Sequence, residues 1–513
     1  MGRINLRSQL GGLSSGISLS RDSFNVIYAP TNAAEFCTAW TAARDGDLID
    51  LRGVSGGTWD IEAECGERTT QYAFAIFGNP SNPVTLRGRF MALDAAAPAG
   101  PQKSIQWKDF NIDTTGVPAL SSGLFDSSVG IGFSGSFSNM EITGSGGTVG
   151  AVVENRVEGT LGIVDFTHTD VTVTNADKTA FSTSASNGVL TTLNVRQSLV
   201  RWVNCVSDGR GSGANDAGFT VSNLQAVGTD CEVTGGTGSV AVVQGSETLM
   251  VMEGLNHHTD TGYVSCSILK RSATRASEIS YSGTSYPVSG GIVALGNALS
   301  SYSTVWDAVV VDGGTASSGN WSCGRTASAG AANLGGHHMQ GCQLSEQAPS
   351  GKFNCFRVAS TSAPPFVTAL NCSIRSGGTA ANKFTTQSLA SLDTTIYNCI
   401  LSQTGGASIR NNATAGTWDY DYNVRNTLTG NDEPAAANDI IVAIGGADIN
   451  ASDVPTSGGN CDGTGTDVTA NYITGDHQPF PDNDFTVNFQ GLDINGDAYD
   501  LSSPNIGPVQ SVV

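Results

Sequence analysis

The chain has 513 residues, 14 % of them charged, with 64 glycines and a formal net charge of −21. That glycine-rich, charge-poor balance favours strands and turns over helices, and the acidity excludes the basic footprint of a nucleic-acid-binding protein. No apolar run reaches the length of a membrane span, and MGRINLRSQLGGLSSGISLS at the N-terminus lacks the apolar core of a secretory signal peptide.

In chain order, residues 1–30 read as a Gly/Ser-rich arm. TNAAEFCTAWTAARDGD follows and predicts a short amphipathic helix within 31–45. Asn32 and Glu35 have the spacing of a capping box, Phe36, Trp40 and Ala43 form one face, and Asp45-Gly46 stops it. Beyond it one phrase recurs: Asn or Asp, a small apolar residue, any residue, an aliphatic. It reads DFNI at 109, NMEI at 139, DVTV at 170, NCVS at 204, DCEV at 230 and SCSI at 265. It continues as DAVV at 307, GCQL at 341, NCSI at 371 and NCIL at 398, at intervals of 26 to 42 residues. Alternation with period two means a strand with one buried face. No such unit buries its apolar residues alone, so the units must stack, about 4.8 Å per layer in parallel register. The leading Asn or Asp fits the turn that ends each strand.

The eleven cysteines contain no CxxC pair, which argues against a zinc ribbon. With no leader in view, reduced thiols in a cytoplasm are the expectation. Cys205, Cys231, Cys266, Cys342, Cys372 and Cys399 fall at one template position. A column of six thiols is a packing element, since a nucleophile needs one thiol beside one base.

These units resemble the coils of the right-handed parallel β-helix, the fold of pectate lyases and phage tailspikes. The helix over 31–45 resembles that family's N-terminal cap. GDLIDLRG with WDIEAECG and NPVTLRG resembles its opening coils, and GLDINGDAYDLSSPNIGP near the C-terminus its closing segment. The resemblance implies an all-β solenoid of about eleven to thirteen coils over 46–425, with a loop-rich region and cap over 426–513. It leaves function open, because this fold carries lyases, hydrolases, adhesins and virion parts.

Chemistry on a β-helix would sit where outward side chains stack. Two places after the template aliphatic stand Lys270, with Arg271 beside it, then Asp312 and Glu346, and one place earlier in the next unit Arg375. In that register the two carboxylates lie about 5 Å apart, the separation of a retaining glycosidase, and the basic pair suits a uronate lyase. A surface charge ladder is the competing reading. A second candidate, VSDGRGSGANDAGF, holds Asp208, Arg210 and Asp216 in one Gly-rich loop. It resembles the acid pair of inverting β-helix hydrolases without their paired-Asp or Gly-His-Gly motifs, and otherwise reads as a turn. NHHTD and GGHHMQG read as polar loop residues rather than metal ligands. DINGDAYD at 493–500 has the carboxylate density of a Ca²⁺ loop without EF-hand spacing, and reads first as a structural turn. No other cofactor or metal is expected.

The function expected from these features is a phage virion protein of the tailspike, fibre or capsid-attached type, binding a surface polysaccharide of the host. Its arm, residues 1–30, would dock on other virion proteins, and a homotrimer is expected from the resemblance. It would be made in the host cytoplasm, without membrane insertion or nucleic-acid contact. The alternatives are a polysaccharide lyase or glycoside hydrolase on the same scaffold, and a purely adhesive or structural solenoid.

Overall fold

In the computed structural model the chain is a parallel β-helix, the fold class expected from the repeat. Outside the described residues lie 1–23, 71, 93–102, 119–132, 145–150, 158–163, 177–178, 186–197, 209–216, 223–224, 235–239, 247–248, 267, 280–301, 313–319, 327–335, 347–351, 359–365, 377–381, 388–392, 404–406, 412–417, 426–435, 442–443, 445–448, 451–454, 469, 478–484, 500–504 and 511–513.

Three parallel ladders form the walls. The inward column of the first runs Ile49, Ile76, Trp107, Phe137, His168, Trp202, Gly228, Met252, Leu269, Trp306, Met339, Ala369, Ile396 and Tyr420. The second runs from Trp59, Leu86, Ile112, Ile142 and Val173 through Val311, Leu344 and Ile374 to Arg425 and Ile441. The third carries Phe181, Phe219, Val243 and Val264. Large rings fill the interior of the lower layers, with Trp107, Phe137, Phe166, Phe181, Trp202 and Phe219 in successive ring contacts or shared clusters.

A sharp corner joins the first ladder to the second, and it explains the Asn-Cys phrase. Asp109, Asn139, Asp170, Asn204, Asp230, Asn371 and Asn398 all have φ between 50° and 64°. Asn and Asp tolerate this left-handed conformation better than other side chains, and glycine, at Gly254 and Gly341, tolerates it best. Each corner N–H bonds the carbonyl that closes the strand one layer on: Asn204 to Thr229, Asp230 to Glu253, Gly341 to Leu370, Asn371 to Tyr397. The next residue turns inward. Cys205, Cys231, Cys342, Cys372 and Cys399 sit there fully buried. Their thiols lie 3.2–3.6 Å from the carbonyl two residues back, and most reach a carbonyl of the preceding layer too, as Cys205 does to His168 and Cys342 to Trp306. Cysteine is therefore a small apolar filler that also donates weakly at the bend.

Two phrases take another register. Ala308, not Asp307, holds the corner at φ 52°, so Val309 is the inward residue and Asp307 closes the first-ladder strand. Cys266 is buried but lies before the strand Ile268–Lys270 of the first ladder, and Arg271 is the corner at φ 44°. Corners at Gly254, Arg271 and Tyr422 carry no Asn or Asp, so the solenoid has slightly more layers than the phrases count.

The N-terminal end is capped. Helix α1 (Ala33–Ala42) caps the first layer, with Asn32 Oδ1 accepting from Glu35 N–H at 3.0 Å. Glu35 Oε2 reaches back one residue further, to Thr31 N–H at 2.8 Å. Phe36 and Trp40 are buried, and Trp40 Nε1 donates to Thr69 O. A second short helix, α2 (Ile61–Cys65), interrupts the opening coil and is bridged to α1 by the Cys37–Cys65 disulfide. This overturns the expectation that the thiols are uniformly reduced. The arm is also shorter than expected: Ile27–Tyr28 pairs with Leu48–Ile49, and Phe24 packs edge-on against Phe77. At the far end Ile440–Ile441 continues the second ladder, locked by the buried Arg425–Asp439 ion pair at 2.8 Å.

The C-terminal region folds back along the upper layers. Arg375 Nη2 bonds Asn450 O, the Asn398 amide bonds both N–H and C=O of Thr466, and Gln340 does the same with Ile473. Tyr472 and Tyr499 pack on Leu370.

Candidate functional site

One face of the solenoid differs between its two halves. Outward residues of the first ladder alternate with its apolar column. In the lower layers they are Gln106 and Lys108, then Ser136 and Ser138, then Thr167 and Thr169, then Arg201 and Val203, all partly exposed. Stacked about 4.8 Å apart, they present a flat field of hydroxyl and amide groups. Its charges are sparse. Arg201 pairs with Asp165 at 2.6 Å, and the Lys108 ammonium stands 4.7 Å over the Phe77 ring. The corner column borders this field. Asn139 Nδ2 donates to Asp109 Oδ1 at 2.8 Å and Asn204 Nδ2 to Asp170 Oδ1 at 2.5 Å, so amides and carboxylates alternate layer by layer.

In the upper layers the same outward row reads Thr229, Glu253, Lys270, Asp307, Gln340, Leu370. Here it is covered. Lys270 and Asp307 are each 3 % exposed and Gln340 is fully buried. Lys270 Nζ meets Glu253 Oε1 at 2.6 Å. Gln340 Nε2 donates to Asp307 Oδ1 at 2.8 Å and to Ile473 O at 2.9 Å. Its Oε1 accepts from Ile473 N–H at 2.9 Å and lies 2.9 Å from His338 Nε2. Burial pushes the Asp307 carboxyl up to about 6 against the opposing pull of Gln340, Lys270 and Arg271.

The sequence-derived stripe does not assemble. Lys270 belongs to the first ladder and is spent on Glu253, while Asp312 belongs to the second. Asp312 registers with Ser345, and Glu346 with Ser376, so the two residues occupy adjacent rows of the ladder rather than one. The side chains of Asp312 and Glu346 lie outside the described residues. Arg271 is exposed at its corner, and Arg375 is partly buried against the C-terminal region. Asp208 is exposed and accepts from Thr234 Oγ1 at 3.1 Å. Asp216, and with it the second candidate pair, lies outside the described residues.

The histidines are not loop residues. His168, His257 and His338 stand in strands, at most 1 % exposed. Burial pushes His168 down to about 3 and His338 to about 4. No group of three metal-ligating side chains occurs among the described residues. Asp493 is buried and accepts from Asn495 N–H and Asp497 N–H through Oδ1 and from Gln510 N–H through Oδ2, as a turn-forming aspartate does. Sequence reasoning missed Glu253, Asp307 and Gln340. Their signal is one charged or amide residue just before each corner, visible only once the corners at 254, 271 and 308 are placed.

No family model and no curated protein matches the chain. Among solved structures, one titled "Crystal structure of pectate lyase Pel9A" aligns with 95 % of this chain and 97 % of its own, at 12 % identity and a TM-score of 0.28.

Proposed function

We propose that this protein is a glycan-binding β-helix of a phage particle, of tailspike or fibre type, and that the open lower half of the first ladder is its binding face. The observation that carries this reading is the field of Gln106, Ser136, Ser138, Thr167 and Thr169, in register and uncovered among the described residues. Repeated short hydroxyls at a layer spacing of about 4.8 Å suit the repeated hydroxyls of an extended polysaccharide. The Cys37–Cys65 bridge fits a protein that works outside a reducing compartment. Residues preceding Phe24 would supply the contact to other virion proteins, and a homotrimer would be the working state.

A depolymerase on the same scaffold is the alternative. Binding to purified host surface polysaccharide tests the reading. Ser136→Arg with Thr167→Arg should abolish binding while leaving circular dichroism and Tm unchanged. Unaltered binding by that folded variant would remove the face from consideration. New reducing ends or unsaturated sugars after incubation with the wild type would favour the enzyme.

A further inference from the structure

We propose that the C-terminal region is a pH-responsive clasp, held on the upper layers through the buried row Lys270–Asp307–Gln340 and tighter in mild acid than at neutral pH. The geometry gives Gln340 a central place. Both hydrogens of its Nε2 are committed, one to Asp307 and one to Ile473 O, and its Oε1 accepts from Ile473 N–H. Its amide thus substitutes for a neighbouring strand and pins residue 473, 133 positions away in sequence. The clamp is repeated by Asn398 on Thr466. Between the two, Tyr499 Oη lies where a side chain on Gly341 would stand, 2.7 Å from its ideal Cβ.

Asp307 is the titratable member of this row. The charged or titratable groups around it are Lys270, Arg271 and Glu253 from the preceding layers, His338 and Cys342 from the next layer and Tyr472 from the clasp. Lys270 is shared, because Glu253 already holds its ammonium at 2.6 Å. With Gln340 and Ile473 in place, Asp307 is sealed from water and its ionised form is disfavoured. With the clasp lifted it returns toward the ordinary carboxylate range of about 3.9. The closed form therefore binds the proton more tightly. Its extra stability is fully present below that ordinary value and is lost as pH rises through about 6. Protonated Asp307 keeps its carbonyl oxygen as acceptor for Gln340, so acid does not break the clamp. His338, pushed down to about 4, stays neutral through this window.

Hydrogen exchange on the full chain tests this, with rates at 470–474 normalised to their intrinsic values. Protection should be about tenfold higher at pH 5 than at pH 7.5, the rise setting in as pH falls through about 6, as the two proton affinities require. A flat profile in the wild type overturns the proposal, whatever any variant does. Asp307→Asn should abolish the pH ratio, and Glu253→Gln, which frees the Lys270 ammonium for Asp307 and removes a negative charge, should shrink it. A slope that persists in folded Asp307→Asn also overturns it. Gln340→Ala should lower protection at Ile473 at both pH values, and unchanged protection there would remove the clamp.

Discussion

At the scale of single residues, the corner between the first two ladders decides what each layer tolerates. Asn and Asp meet its left-handed backbone at modest cost, glycine at none, and Ala308 at φ 52° is strained. Ala308→Gly should therefore stabilise the protein by about 0.5–1 kcal/mol, read as a rise in urea midpoint with unchanged slope. Gly341→Ala should do the reverse, because its Cβ would stand 2.7 Å from Tyr499 Oη at a φ of 60°. The inward residue obeys a different rule. Burial pushes the Cys231 thiol up to about 12 and Cys205, Cys342 and Cys372 well above their ordinary range. These thiols should resist iodoacetamide in the native protein and react after denaturation, which mass spectrometry of the alkylated peptides checks. Fast alkylation of any of them in the folded chain would contradict the column. Cys372→Ser should cost about 1–3 kcal/mol, since a stronger polar group then sits fully buried at the bend.

At the scale of the element, the strand phrases and the capping helix were legible because periodicity and cap chemistry are local. NCVS, DCEV and NCSI each carry the corner, the inward residue and the alternation in four letters. DAVV and SCSI misled, because Ala308 and Arg271 hold corners that normally call for Asn, Asp or Gly, and nothing local marks such an exception. The one-residue slip in DAVV moved Asp312 into apparent alignment with Glu346 and hid Asp307. The disulfide was hidden for another reason. Cys37 and Cys65 meet only after α2 turns back beneath α1, a tertiary contact. Replacing both, Cys37→Ser with Cys65→Ser, should lower stability by about 2–4 kcal/mol, as expected for opening a closed loop of 28-residue separation. The loss should appear as early exchange in α1, with the upper layers unaffected, because a solenoid couples mainly to its neighbouring layers. Uniform weakening along the whole chain would mean that the cap and the coils unfold as one unit.

At the scale of the whole molecule, one face of the lower layers is uncovered among the described residues, and the upper layers cover the same face with their own chain. The cover lay beyond sequence reasoning because Gln340 and Ile473 are joined by side chain to backbone, across 133 positions and without a motif. The N-terminal boundary moved for a related reason: Ile27–Tyr28 forms a rung below Leu48–Ile49 although nothing before it repeats. This changes how the particle-docking role of the arm must be tested. A deletion of 1–30 would remove that rung and Phe24 from its cluster with Leu48, Ala75 and Phe77, exposing the first layer. Deletion of 1–23 leaves the rung in place. The shorter variant should keep the wild-type Tm and polysaccharide affinity and fail to attach to particles in a co-sedimentation assay. Native mass measurement on the same variant separates assembly from docking. A trimer that persists without residues 1–23 puts the subunit contacts on the solenoid, and loss of the trimer together with attachment puts both in the arm. Full attachment by the truncated protein would end the docking role of that segment.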